Sequence, residues 1–93
     1  MLSTSPIELG KVPEKEVDKE ILRLGMIAEL DAVSLYEQLA AKTKSKKIKA
    51  VLLDIAKEEK THVGEFQTLL LELDKEQGRE LEKGKKEVEE LGK

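Results

Sequence analysis

The sequence predicts an all-α protein whose centre is an antiparallel hairpin of two long helices. Two stretches repeat apolar residues at steps of three and four, the spacing that places side chains on one face of a helix. A polar segment, residues 43–47, interrupts this pattern between them. Because so short a connection leaves two helices side by side in opposite directions, the pattern favours one hairpin over residues 13–74.

The composition excludes several classes of protein. The chain has 93 residues, with 20 acidic and 17 basic side chains and a net charge of -3, and it contains no cysteine. Disulfides and thiolate metal sites are therefore excluded, and the interleaved charges argue against a nucleic-acid partner. No apolar run reaches the roughly 20 residues that span a membrane, and the first ten residues do not resemble a signal peptide. A cytoplasmic protein is expected.

The first two segments differ in their regularity. Residues 1–12 contain Pro6 and Gly10 and show little periodicity, so we expect a flexible N-terminal arm. Pro13 suits the first turn of a helix, and the acidic residues after it suit the positive end of the helix dipole. The helix that follows carries two adjacent apolar rows, a surface too broad for one partner helix. The rows are Leu22, Met26, Glu29, Val33, Tyr36 and Ala40, and Ile21, Gly25, Ala28, Ala32, Leu35 and Leu39.

The second helix is expected to run from about Lys46 to about Asp74, with Ser45 as its N-cap. One face of it is an apolar stripe with two polar members, Glu59 and His62. The stripe consists of Ile48, Leu52, Ile55, Glu59, His62, Phe66, Leu69 and Leu73. The remaining residues, 75–93, are rich in lysine and glutamate and spaced by glycines, so we expect a short helix or a linker there.

Glu59 and His62 predict a metal site. A carboxylate within an apolar seam needs a compensating positive charge, and a metal ion would supply it. If the hairpin turns near residues 44–45, both residues lie about 22 to 26 Å from the turn at 1.5 Å per residue, and so does Glu29 on the first helix. All three lie on apolar stripes, so the hairpin is expected to present two carboxylates and one imidazole to a single point.

One hairpin is expected to be only half of a stable structure. Two helices cannot enclose the apolar surface of the first helix, so two chains should associate into a four-helix bundle. A dimer would present Glu29, Glu59 and His62 twice, which is four carboxylates and two imidazoles. This is the ligand set of ferritin-like di-metal proteins, in which a bundle supplies two glutamates and two Glu-x-x-His motifs. Oxygen ligands with some nitrogen suit iron or manganese.

These residues carry a resemblance to a known family. Glu29 with Tyr36 on the first helix, and Glu59-Lys60-Thr61-His62 on the second, resemble the encapsulated ferritin-like proteins, which are half-length ferritins. More closely, the chain is similar to the ferritin-like segment at the N-terminus of archaeal encapsulin shell proteins. That similarity would make residues 78–93 a linker towards a shell domain and the chain a piece of a longer protein.

The resemblance implies a function. It implies ferroxidase activity, the oxidation of Fe(II) to Fe(III) by oxygen at a di-iron centre between two subunits. It also implies homodimers that assemble into a ring, with a decamer as the expected form. The shell would then store the oxidised iron, in an encapsulin nanocompartment within the cytoplasm.

The resemblance also implies roles for single residues. Glu59 would bridge two irons, Glu29 would be a terminal ligand, and His62 would bind through one ring nitrogen. Tyr36 would stand behind the ligands, where its hydroxyl could hydrogen-bond one of them or take part in electron transfer. Some members of the family flank the first glutamate with further glutamates that admit metal. Here the neighbours are Ala28 and Asp31, so Asp31 and Glu65 are the candidates for a metal access site.

Two alternatives to a ferroxidase stay open. A di-iron centre with the same ligands could serve a rubrerythrin-like peroxidase, which uses peroxide in place of oxygen. In a different class, the chain could be a structural helical hairpin in which Glu59 and His62 pair in a dimer core and fix its register. Ferrous iron added in air distinguishes the ferroxidase from the structural hairpin, which predicts no acceleration over buffer, and comparison of peroxide with oxygen as the oxidant distinguishes the ferroxidase from the peroxidase.

Overall fold

The fold is all-α, as the periodicity predicts. The computed structural model describes residues 8–93, and these form two 3₁₀ turns and three α-helices with no strand. The turns are Leu9–Lys11 and Glu14–Glu16, and the helices are α1 (Val17–Lys42), α2 (Lys46–Leu73) and α3 (Lys75–Leu91). The first seven residues of the expected N-terminal arm lie outside the described part of the chain.

Helix α1 begins one turn later than the sequence indicates. Pro13 has φ -55° and ψ 139°, an extended conformation, so it precedes the 3₁₀ turn and is not part of a helical turn. The acidic residues of the first α-helical turn are Asp18 and Glu20, where the helix dipole favours them. The helix ends where Thr43 becomes extended, with its N–H donating to the carbonyl of Leu39.

Helix α2 begins as predicted. Ser45 is its N-cap: the backbone is extended there, and Oγ accepts a hydrogen bond of 3.2 Å from the N–H of Ile48. Only residues 43–45 separate the two long helices. Contacts between α1 and α2 follow one another in opposite chain order, from Gly25 against Phe66 to Glu37 against Lys60. The two helices therefore form the antiparallel hairpin that the short connection predicts.

The core of a single chain is small. Five apolar side chains of the described residues are buried, namely Leu22, Val33, Ala40, Ala56 and Leu70. Many larger apolar side chains of the hairpin are about half exposed, among them Ile21, Leu30, Leu39, Ile48, Val51, Leu53, Leu69 and Leu73. Apolar surface on this scale usually marks an interface with another chain. No helix within residues 8–93 is long and apolar enough to cross a bilayer.

The C-terminal segment is helical, which is one of the two forms that the sequence predicts. Asp74 ends α2 and caps α3, because its Oδ1 accepts a 3.0 Å hydrogen bond from the N–H of Gln77. Its other oxygen, Oδ2, accepts from Arg23 of α1 at 3.0 Å. One carboxylate thus joins all three helices at the corner where α3 leaves the hairpin. Among the described helices, α3 packs against α2 alone.

The pH dependence of this corner follows from Asp74. The hydrogen bond from the Gln77 N–H, supported by the nearby charges of Lys19 and Arg23, holds the pKa of the Asp74 carboxyl below its usual value of 3.8. A lowered pKa in the folded state stabilises the cap above pH 3.8, and that stabilisation is lost as the pH falls through the folded-state pKa. We expect the Gln77 amide to lose protection from hydrogen exchange below this pH. In Asp74→Asn, which keeps an acceptor but does not titrate, protection should not change over the same range.

Gly25 allows α1 and α2 to approach closely. A Cβ at this position would lie 3.1 Å from two ring carbons of Phe66, whereas a Cβ at Gly64 would meet no atom within 4 Å. Alanine in place of a mid-helix glycine stabilises a helix by about 1 kcal/mol, and an overpacked contact costs about 1 to 3 kcal/mol. We therefore expect Gly64→Ala to stabilise the protein and Gly25→Ala to be neutral or destabilising in urea denaturation at one protein concentration. Equal gains in both variants would contradict the close contact.

Candidate metal centre

The structure brings three of the predicted site residues together. Glu29 lies on α1, and Glu59 and His62 lie one turn apart on α2. One donor atom from each residue lies within 4.8 Å of the other two. Their side chains are 21%, 19% and 43% exposed, so the cluster is partly shielded but open on one side. The matched distance of these residues from the hairpin turn is the reason for their convergence.

The imidazole of His62 points its Nδ1 between the two carboxylates. Nδ1 lies 3.1 Å from Oε2 of Glu29 and 3.4 Å from Oε2 of Glu59. In the tautomer with a proton on Nδ1, this nitrogen donates to the carboxylate oxygens, which accept. One imidazole nitrogen and two carboxylate oxygens thus lie close enough together to bind a divalent cation.

An ion pair between the helices lies next to this cluster. Lys60, the residue after Glu59, places Nζ 3.0 Å from Oε2 of Glu37 on α1. The sequence does not indicate this pair, since the two residues differ by about 12 Å in their distance from the turn at 1.5 Å per residue. Two long side chains bridge that offset. Because its side chains are 60% and 47% exposed, the pair contributes little to the stability of the hairpin.

The donor set fits a first-row divalent metal such as iron. Two carboxylates and one imidazole are the ligands that iron and manganese share in proteins, and the absence of cysteine excludes a thiolate zinc site. One chain, however, offers three donor residues. These three residues would fill the coordination positions of one metal ion better than those of two.

The other residues singled out in the sequence lie outside this cluster. Tyr36 is half-buried on α1, two turns beyond Glu29, and within residues 8–93 no hydrogen bond joins its hydroxyl to the three donors. Asp31 is half-buried on α1, and Glu65 is exposed on α2. Neither belongs to the group of donors that converge.

A helical hairpin with a Glu-x-x-His motif facing a glutamate defines a ferritin-like carboxylate protein. Comparison with known proteins agrees with this class, because the rubrerythrin family profile matches residues 20–93. The chain belongs to the rubrerythrin family of ferritin-like proteins.

Two individual relatives of this chain are proteins associated with encapsulins. The chain is 54% identical over 93 residues to the ferritin-like-encapsulin shell fusion protein of Pyrococcus furiosus, covering 98% of this chain and 27% of that protein. It is 38% identical over 80 residues to an encapsulin nanocompartment cargo protein of Myxococcus xanthus, covering 83% of this chain and 61% of that protein. The chain thus spans about a quarter of the first relative's length. The resemblance to encapsulated ferritin-like proteins is confirmed.

A solved structure confirms the fold. The crystal structure of the encapsulated ferritin domain from Pyrococcus furiosus superposes with a TM-score of 0.84 at 53% identity. The match covers 98% of this chain and 95% of that one. The three-helix arrangement, including α3, therefore lies within the matched region.

Proposed function

We propose that this protein is a ferroxidase that oxidises Fe(II) to Fe(III) with oxygen, at a di-iron centre built by two copies of the chain. The observation that carries the proposal is the convergence of Glu29, Glu59 and His62 within 4.8 Å on two packed helices. Membership of a family of di-iron oxidoreductases supports the same chemistry. Iron is the substrate, and two adjacent ferrous ions can each give one electron to an oxidant.

The residues of this chain would divide the work as follows. Glu59 would lie between two ions, Glu29 would bind one of them at its side, and His62 would bind through Nδ1, the nitrogen that already faces both carboxylates. Binding through Nδ1 requires the neutral tautomer that carries its ring proton on Nε2. Tyr36 stays a candidate for electron transfer, and Asp31 and Glu65 stay candidates for metal access.

A second copy of the chain is part of this proposal. Three donor residues give two metal ions too few protein ligands. In addition, a single chain leaves many apolar side chains of the hairpin half-exposed to solvent. A two-fold dimer meets both needs, because it doubles the ligands and buries the apolar side chains around the three donors in a four-helix bundle. A ring of such dimers, with a decamer as the expected form, completes the assembly that we propose.

We further propose that the protein works with an encapsulin shell inside a cytoplasmic compartment. The support is the nature of its relatives, one of which is a fusion to an encapsulin shell and another an encapsulin cargo protein. In such an arrangement the helical part would oxidise Fe(II), and the shell would hold the Fe(III) that is produced.

The direct test is iron oxidation in air. Ferrous iron added to the purified protein should give ferric absorbance faster than in buffer alone. A structural hairpin, in which the hydrogen bonds of His62 serve only to fix the register, predicts no acceleration, and that result would overturn the ferroxidase proposal.

A rubrerythrin-like peroxidase is the second candidate, because the matching family profile is that of rubrerythrin. The two enzymes share ligands and differ in oxidant. Anaerobic Fe(II)-loaded protein should be mixed with oxygen in one experiment and with an equivalent amount of hydrogen peroxide in another. Much faster oxidation by oxygen supports the ferroxidase, and much faster oxidation by peroxide supports the peroxidase.

A further inference from the structure

The turn of the hairpin carries a cluster of lysines that the metal centre does not use. Residues 42–49 contain five lysines, and residues 38–53 contain no acidic side chain. Acidic and basic residues alternate over most of the chain, whereas this stretch carries only positive charges. We refer to the five lysines as the lysine tip; they are Lys42, Lys44, Lys46, Lys47 and Lys49.

The lysine tip is exposed and unpaired. All five side chains belong to exposed residues, and no carboxylate of residues 8–93 forms an ion pair with any of them. The nearest acidic residue before the tip in the sequence, Glu37, is paired with Lys60 on the neighbouring helix. The positive charge of the tip is therefore not neutralised within the described chain.

The lysine tip also works against the stability of α2. Lys46, Lys47 and Lys49 lie in the first turn of that helix, where the positive end of the dipole favours acids and where no acid is present. The other two helices follow the rule, with Asp18 and Glu20 in α1 and Glu76 in α3. A local arrangement that opposes folding is typical of a surface with a binding role.

Apolar side chains accompany these charges. Leu39, Ile48 and Val51 flank or interrupt the lysines and are 45%, 52% and 55% exposed. No arginine and no aromatic residue lies in residues 38–53. Base stacking and bidentate phosphate contacts, on which nucleic-acid recognition relies, are thus missing from the tip. Lysines on both sides of the turn, mixed with aliphatic side chains, instead complement a surface that is acidic and partly apolar.

We propose that the lysine tip is a docking surface for an acidic polypeptide segment that carries apolar side chains between its carboxylates. The ammonium groups would attract the carboxylates without strict geometry, because a lysine is a point charge on a flexible stem. Ile48 and Val51 would bury the apolar side chains of the partner. The lysines of the tip lie about 15 Å or more along the helices from the candidate metal site at 1.5 Å per residue, so docking does not depend on the proposed ferroxidase activity.

The test uses the full chain and a short fluorescent peptide that alternates glutamate with leucine. Fluorescence anisotropy should show saturable binding at low salt that weakens as sodium chloride rises. Neutralising three lysines should weaken binding about tenfold, since each exposed ion pair contributes modestly. The variant combines Lys44→Gln, Lys46→Gln and Lys47→Gln.

A matched control separates the lysine tip from net charge. Three exposed lysines of α3 are replaced in the same way, so both variants carry the same net charge; they are Lys83→Gln, Lys85→Gln and Lys86→Gln. The control should change the affinity less than about twofold. Equal losses in both variants, or no binding by the unmodified chain, would overturn the docking surface. Circular dichroism checks that both variants keep their helices.

A comparison of two peptides tests whether the partner must carry apolar side chains. Ile48→Ser should weaken binding of the glutamate-leucine peptide but not that of a glutamate-serine peptide of the same length and charge. Equal affinity for the two peptides, or tighter binding to duplex DNA or inorganic polyphosphate, would overturn the assignment to a partly apolar acidic polypeptide. The ferroxidase rate should be the same in the lysine variants, so a failure here is distinguishable from a failure of the metal centre.

Discussion

Glu59→Gln is expected to lower the initial rate of Fe(II) oxidation by at least about 100-fold, since replacing even an indirect support of a metal ligand costs about 10- to 100-fold. Glutamine has nearly the same shape as glutamate and keeps an oxygen that can accept the hydrogen bond from His62 Nδ1. It removes the negative charge that would lie between two cations. In a centre shared by two copies, each substitution removes two charges at once.

Glu58→Gln is the matched control for this prediction. Glu58 precedes Glu59 on the same helix, is exposed, and does not belong to the converging donors. Both variants change the net charge equally, so only loss of a ligand distinguishes them. The measurement is the initial rate of ferric absorbance, with iron stoichiometry and helicity recorded on the same samples. Equal rates for Glu59→Gln and the unmodified protein would show that Glu59 is not a ligand.

The second large effect is expected from mixing chains. If each centre takes ligands from two copies, an unmodified chain paired with a Glu59→Gln chain has a damaged centre. A tenfold excess of the variant, equilibrated with the unmodified protein, should therefore remove most of the activity of the unmodified chains. A centre contained in one chain predicts no loss, because the three donors of that chain stay intact.

The mass of the oligomer tests independently whether iron binds between two copies of the chain. Iron that binds between copies favours the associated state by mass action, so Fe(II) should shift the mass distribution of dilute protein upwards. The Glu59→Gln chain keeps the exposed apolar side chains but lacks one ligand, and it should show a smaller shift. The same monomeric mass with and without iron, together with full activity, would contradict the two-copy centre.

The sequence predicted the hairpin because its signals are local. Steps of three and four along two stretches reflect the helical repeat itself, and Ser45 caps α2 through a hydrogen bond to a residue three positions away. The C-terminal helix also had a local signal, since Asp74 followed by Gln77 has the spacing of a helix cap. The glycines of the segment favoured a linker, but α3 passes through Gly78 and Gly84.

The residues of the candidate metal centre could also be predicted from the sequence. Glu59 and His62 stand out because they interrupt an apolar stripe, and Glu29 follows from its equal distance to the turn. These arguments depend only on helical rise and periodicity. They identify which residues can meet, but they give neither the side-chain conformations nor the distances between the donor atoms.

The sequence by itself determined the all-α hairpin, its capped turn and the three residues of the candidate centre. The tertiary structure decided which atoms meet: Nδ1 of His62 faces two carboxylates, Phe66 lies against Gly25, and Arg23 reaches Asp74. The physical reason is that these contacts depend on helix rotation, packing distance and side-chain reach. Those quantities are set by all the neighbours of a residue together, whereas a periodic pattern records only the position of each residue along its own helix.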